Sequence, residues 1–159
     1  MSKLHFISNS VSDTMRIGSA IARHAQPGDI VCLFGELGSG KTVFAKGIAR
    51  GLGATGAKAI SPTFVIMQRR DEGRMPLYHF DFYRLGGPRD IAPLGYEEYF
   101  YADGISVIEW AERLDNLMPE EFLGVRLSIL GSKRRSLNFH ARGNRYRVLL
   151  EKANETLGA

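Results

Sequence analysis

Cysteine is almost missing from this chain. One residue, Cys32, stands alone among 159, so a disulfide framework is excluded. It lies inside the apolar run Ile30-Val31-Cys32-Leu33-Phe34, which points to a small buried strand side chain rather than a reactive thiol. Long apolar runs are also missing. None approaches the ~20 residues needed to cross a bilayer, and the opening MSKLHFISNS has no apolar h-region of a secretory signal. The expectation is a cytoplasmic protein with no membrane contact. There is no internal repeat and no low-complexity segment. An Asn-Lys-x-Asp guanine reader is absent, which speaks against a translational or signalling GTPase. The Arg-rich lid that small-molecule kinases close over phosphates is absent too, since Arg69-Arg70 is short and stands beside a turn.

What is present suits one soluble domain over residues 1–159. Hydrophobic residues make up 44% and charged residues 24%, enough to build a core under a solvated surface. The net charge of +4 and pI of about 9.4 permit an acidic partner such as RNA without demanding one. The basic residues are clustered. Lys133, Arg134, Arg135, Arg142, Arg145 and Arg147 follow one another with no acid between them. A solvated hairpin surface is the default reading of that stretch, and direct contact with RNA is the sharper one.

Strand-like and helix-like segments alternate. Leu4 to Ile7 suits a short strand. Ser10 or Ser12 can cap a helix reaching Ala25, with Met15, Ile21, Ala22 and Ala25 inward. Ile30 to Phe34 suits a strand covered on both faces. A helix from Lys41 to Leu52 follows, with Phe44, Ile48 and Leu52 on one side and Gly53 to end it. Further strands are expected at Ser61 to Met67, Leu77 to Phe82 and Ile105 to Ile108. Short helical pieces are expected within Asp90 to Phe100 and Ala111 to Leu117. Val125 to Leu130 and Leu137 to Ala141 read as a C-terminal β-hairpin, with one more strand near Tyr146 to Leu150. The sum is an α/β fold, a mixed, largely parallel sheet flanked by helices.

Between the second strand and its helix stands GELGSGKT, which meets the pattern Gly-x-x-x-x-Gly-Lys-Thr at Gly35, Gly40, Lys41 and Thr42. Glycines let the backbone curl so that successive N–H groups point at phosphate oxygens. The following helix offers its positive N-terminus to the same charge. Lys41 reaches the β and γ phosphates, and the Thr42 hydroxyl ligates Mg²⁺. Gly38, Ser39 and Val43 complete the cradle.

Such a site also needs a carboxylate at the end of a nearby strand. Glu109 stands where Ile105-Ser106-Val107-Ile108 stops, and Asp81 stands near the end of Leu77-Tyr78-His79-Phe80. His79 and Asp81 share a strand face. The plainer readings are that Glu109 caps a helix carrying Trp110 and Arg113, and that Asp81 pairs with Arg84 or His79. Thr63, in Ser61-Pro62-Thr63-Phe64, is either a γ-phosphate sensor or part of a turn.

With these residues placed, the chain resembles the TsaE family, small bacterial ATPases required for making threonylcarbamoyladenosine in tRNA. The resemblance rests on GELGSGKTVFAKGIARGLG, SPTF, LYHFDFYRL, GYEEYF, DGISVIEWAERL and ARGNRYR, which follow the family's order across most of the chain. It implies a P-loop NTPase-like domain that binds ATP and Mg²⁺. Thr42 and Glu109 become metal-side residues, Lys41 a phosphate ligand and Asp81 a catalytic acid that orients the attacking water. Ser61 and Thr63 become switch-like residues, and Trp110 a conformationally sensitive neighbour of the metal site. Val11 and Gly143 become contacts of the adenine, which in the family lies between the N-terminal segment and the end of the chain. The implied partners are TsaD-like and TsaB-like proteins, with tRNA reached indirectly through them. The expected activity is slow ATP hydrolysis, because no arginine of the chain plainly points at the γ-phosphate; Arg84 is the nearest candidate. The competing readings are a small-molecule kinase with Asp81 as base, and a docking module for which ATP only shapes a surface.

Overall fold

The computed structural model describes residues 1–54 and 66–158. Its frame is a seven-stranded sheet made of β1 (Lys3–Ser8), β2 (Ile30–Phe34), β3 (Met67–Arg70), β4 (Leu77–Asp81), β5 (Ile105–Glu109), β6 (Phe122–Ile129) and β7 (Arg135–Arg142). The spatial order is β1-β7-β6-β2-β5-β4-β3. The four inner strands β6, β2, β5 and β4 are mutually parallel, while β3, β7 and β1 join antiparallel at the two edges. Every residue of β2 is buried, as the continuous apolar run requires of a strand with cover on both faces.

The helices are α1 (Val11–Arg23), α2 (Lys41–Leu52), α3 (Pro88–Ile91), α4 (Glu97–Phe100) and α5 (Asn144–Thr156). Helix α1 starts where local chemistry dictates. The Ser10 hydroxyl accepts from the Asp13 N–H at 3.0 Å, and the Asp13 carboxylate accepts from the Asn9 N–H at 3.1 Å. This is a reciprocal cap, with Asp13 also facing the positive end of the helix. Helix α2 ends at Gly53, whose φ of 87° closes the last turn.

Helices α1, α2 and α5 cover one face of the sheet, where Ile17, Ile21, Phe44 and Ile48 meet Val31 and Val107. The expected inner side of α1 was partly displaced. Ile21, Ala22 and Ala25 are buried, but Ile17 takes the central place and Met15 is half-buried. The two helices approach closely through small residues. A Cβ on Gly18 would lie 2.5 Å from the Phe44 carbonyl oxygen, and one on Gly51 would lie 2.6 Å from that of Ser19.

The other face carries a second core around Cys32, Phe80, Phe82, Phe100 and Ile108, under α3, α4 and a 3-10 segment at Ala111–Leu117. Cys32 is fully buried, and burial pushes its thiol pKa up. On this side the cover stops at β6. Among the described residues, no helix lies over the outward side of β6, β7 and β1, where Phe122 joins the second core but Lys3, His5, Arg126, Asn138 and Arg142 are exposed.

One expected element is overturned. The strand near Tyr146 to Leu150 is part of α5. Its buried residues Tyr146, Leu149, Leu150 and Ala153 recur at three- and four-residue steps, which is the period of a helix face, not of a strand. The strand expected at Ser61 to Met67 lies mostly outside the described residues; its last residue, Met67, opens β3.

Candidate nucleotide site

The site forms at the carboxyl ends of the parallel strands, where an α/β sheet offers its crevice. Strand β2 ends at Phe34, and the chain curls through Gly35 to Gly40 into α2. Gly35, Gly38 and Gly40 have φ values of 144°, 81° and 106°, a region costly for any side chain. Gly35 is also held by space, because a Cβ there would lie 2.5 Å from the Leu127 carbonyl oxygen and 2.6 Å from the Ser39 hydroxyl. The Ser39 hydroxyl is buried and has no hydrogen-bond partner, an unsatisfied donor inside the loop.

Lys41 opens α2 and is 4% exposed. Its ammonium donates to the carbonyl oxygens of Gly35 and of Glu36, the latter at 2.9 Å. It also lies 4.2 Å from the centre of the Trp110 ring. Trp110 reaches that position through a backbone φ of 58°, unusual for a bulky residue and of the kind found at sites under functional constraint. Its indole packs against Tyr83, ring centres 4.9 Å apart, and against the Arg113 guanidinium at 5.4 Å.

The two acids are cross-strand neighbours. Asp81 of β4 pairs with Glu109 of β5 in a parallel register, so both side chains point to the side covered by α2. Both oxygens of Glu109 are engaged. Oε1 accepts from the Thr42 hydroxyl at 2.8 Å, and Oε2 lies 2.7 Å from His79 Nε2. Glu109 therefore caps no helix; the 3-10 segment after it has Trp110 at its cap, with no side-chain bond. His79 pairs with Glu109 and not with Asp81. The Asp81 Oδ1 instead accepts from the Tyr83 N–H at 2.9 Å.

The electrostatics follow from crowding in a dry place. Burial pushes the Asp81 carboxyl above its ordinary pKa, and the neighbouring Glu109 adds to this. Glu112, exposed at the edge of the site, is raised too, by partial desolvation first. Burial lowers the Lys41 pKa, against the pull of Glu109, Glu112 and Asp81. The charges of four carboxylates, Glu109, Glu112, Asp81 and Glu36, thus act on one ammonium. A cleft of about 250 Å³ opens among Gly38, Lys41, Thr42, Asp81, Glu109 and Trp110.

The structure therefore brings together Gly38, Ser39, Gly40, Lys41, Thr42, Val43, Asp81, Glu109 and Trp110. Val11, the first residue of α1, is 64% exposed at the same end of the sheet, since the preceding strand pairs Ser8 with Arg135 and Arg135 Nη2 donates to the Gly38 carbonyl at 3.2 Å. Gly143 does not join them. It follows β7 at its far end, about 24 Å from Arg135 at ~3.4 Å per residue. There it caps α5 with a φ of 101° and packs on the Glu121 side chain. Its place in the chain answers a backbone need. Ser61 and Thr63 lie outside the described residues. Arg84 is exposed in the turn after β4.

Three participants were not foreseen. His79 holds Glu109, Glu112 adds another carboxylate, and Arg135 buttresses the loop. The shared face of His79, Asp81 and the strand end was a usable signal for the first. Nothing in the sequence pointed to the third, because it depends on which strand lies beside the loop.

The donor set suits a triphosphate with a divalent cation: a lysine, a helix N-terminus, an unsatisfied serine hydroxyl, and a threonine hydroxyl beside a carboxylate. Comparison with known proteins identifies the family. The family model described as "Threonylcarbamoyl adenosine biosynthesis protein TsaE" matches residues 8–137. The protein named tRNA threonylcarbamoyladenosine biosynthesis protein TsaE of Bacillus subtilis is 39% identical over 151 residues, covering 95% of this chain and 94% of that one. Its namesake in Treponema pallidum is 39% identical over 131 residues, 82% of this chain and 96% of the other. The crystal structure of Bacillus subtilis YdiB superposes with a TM-score of 0.85 at 35% identity, covering 98% of this chain and 97% of that one. With a family model spanning most of its length and relatives of nearly equal size, this chain belongs to the TsaE family.

Proposed function

We propose that the chain is an accessory ATPase of tRNA threonylcarbamoyladenosine biosynthesis. It binds Mg–ATP, hydrolyses it slowly, and supports turnover of a transferase made of TsaD-like and TsaB-like proteins. The observation that carries this reading is the grip on Glu109. Thr42 and His79 take its two oxygens, so the carboxylate is fixed beside the loop, while Asp81 keeps Oδ2 for other work.

The roles follow from position. Lys41 and the loop N–H groups stabilise charge on the β and γ phosphates. Thr42 directly, and Glu109 through water, would hold the magnesium ion, which when bound neutralises phosphate charge. Asp81 orients the attacking water and takes its proton. Its raised pKa moves it toward the working pH, where a general base is most effective. No arginine lines the described cleft, which accords with slow turnover alone and a site completed by a docked partner.

The test is a multiple-turnover tRNA modification assay with purified partners. ATP is expected to sustain many rounds and a non-hydrolysable analogue to stall them. Lys41→Ala and Glu109→Ala are each expected to abolish free-phosphate release and modification. Full modification by either variant would falsify this reading, and sustained rounds with the analogue would make the chain a docking module.

A further inference from the structure

The basic stretch from Lys133 to Arg147 is not one surface. Arg145 is turned inward, bonding Asp29 at 3.0 and 2.6 Å. Arg135 is bound to the carbonyls of Gly131, Arg134 and Gly38. What remains outward combines with residues from other strands. On the uncovered side of β6, β7 and β1, Arg126 lies opposite Asn138, His140 opposite Lys3, and Arg142 opposite Phe122. Successive outward residues are two apart, so Arg126, Lys3 and Arg142 mark three rows about 7 Å apart. None of the outward positions on these three strands is acidic. The whole hairpin from Phe122 to Arg142 has Arg126, Lys133, Arg134, Arg135 and Arg142 and no acid at all.

We propose that this open β6-β7-β1 face binds the sugar–phosphate backbone of RNA, a contact that rests on the reading of the chain as a tRNA-modification protein. Charge complementarity carries the assignment. A polyanion offers charge at regular intervals, and this face meets it with cations at regular intervals. The cations sit over rings: the Arg126 guanidinium lies 5.2 Å from the Phe34 centre, and Arg142 lies 5.9 Å from that of Phe122. Polar groups fill the spaces between them. His5 bonds Ser136 at 2.8 Å, and Asn138 is exposed beside it. The His140 ring lies over Gly124, whose missing side chain makes the room. The His140 pKa is lowered, by burial first and then by Arg142, Arg126 and Lys3, which shows how little negative charge relieves the cluster. The face surrounds an open concavity of about 620 Å³.

A protein partner fits less well. Stable protein interfaces are organised round a dry apolar or aromatic centre. Here the one exposed large apolar side chain on the three strands' outward side is Ile7, at a corner and 37% exposed. Acids enter only at the rims, with Glu112 near Arg126 and Glu121 against Gly143.

The experiment uses the full chain and labelled unmodified tRNA, with anisotropy read from about 50 to 300 mM salt. Binding is expected to weaken steeply with salt. The double variant Arg126→Glu/Arg142→Glu is expected to bind at least ~10-fold more weakly, with a log–log salt slope smaller by about 2. Lys3→Glu, in the third row, is expected to weaken binding in the same direction. Lys152→Glu, on α5 behind the sheet, should change little. Fluorescent-nucleotide binding is measured in parallel and should match the native chain in every variant. Native-like tRNA affinity in both face variants overturns the proposal, as does no tRNA binding at the lowest salt. Face variants that keep tRNA but lose the partner proteins overturn it too, and make the face a protein-docking surface. Hydrolysis without RNA binding sinks this inference alone. RNA binding through this face without hydrolysis sinks the ATPase reading alone.

Discussion

At the scale of residues, Asp81 is where the proposed chemistry and its cost to the fold meet. It is 7% exposed, beside Glu109, and held by one backbone N–H. Its folded pKa lies above its unfolded value. The stability linked to its protonation is therefore complete below about pH 4 and is lost as pH rises through the raised folded value. At pH 7 the ionised carboxylate is a net cost to the fold. Asp81→Asn keeps an oxygen for the Tyr83 N–H and removes the charge. We expect phosphate release to fall by roughly 10²- to 10⁴-fold, while the thermal midpoint rises at pH 7 and barely moves at pH 3.5. Melts at the two pH values, run beside a phosphate-release assay, check both halves. A lower midpoint at pH 7 would show that the carboxylate is structurally favourable after all.

At the scale of elements, the ends of the parallel strands were readable in advance and the neighbours of those ends were not. Lys41, Thr42, Asp81 and Glu109 could be placed because each follows an apolar run of strand length. Their side chains then converge wherever parallel strands lie side by side. The His79–Glu109 bond, the Arg135–Gly38 bond and the bare face of β6, β7 and β1 depend on strand order. Order is set by long-range packing, which no local period records. Helix α5 shows the opposite error: Tyr146 to Leu150 is short, apolar and basic, and only the added turn to Ala153 reveals its period. Two contacts explain what that segment does. Tyr146 accepts from the Ile30 N–H at 2.9 Å, and Arg145 clamps Asp29, which is 3% exposed. Arg145→Ala leaves Asp29 buried without its cation. We expect a loss of about 2 to 3 kcal/mol in urea unfolding, somewhat under the value for a fully buried pair. Arg145→Lys should recover only part of it, since an ammonium cannot form the two-pronged contact. An unchanged midpoint for Arg145→Ala would refute the clamp.

At the scale of the whole molecule, the sheet divides its labour between two ends and two faces. The carboxyl ends of β2, β4 and β5 hold the proposed chemistry, and the amino end is tied by Asp29, Arg145 and Tyr146. One face is covered by α1, α2 and α5, and the other is covered only as far as β6. A ligand held between α2 and two inner strands couples binding to the global fold. At 100 times its dissociation constant, Mg–ATP adds about 2.7 kcal/mol, which for a chain this size raises the melting midpoint by roughly 5 to 10 °C. Thermal scans with and without Mg–ATP measure it, and Lys41→Ala should erase the shift. A native chain whose midpoint ignores Mg–ATP would leave the cleft without its proposed ligand.

Trp110 is the only tryptophan in the chain, and its ring lies against the loop lysine, Tyr83 and Arg113. All indole emission of the protein thus originates at one point, within contact of the lysine proposed to meet the phosphates. The molecule carries its own optical probe. When Lys41 leaves that ring for a phosphate, a quenching cation is withdrawn, and the emission should change in intensity with no label attached. Stopped-flow records of this signal would time nucleotide arrival and release separately from phosphate production. They would distinguish a machine limited by chemistry from one limited by letting go of its product.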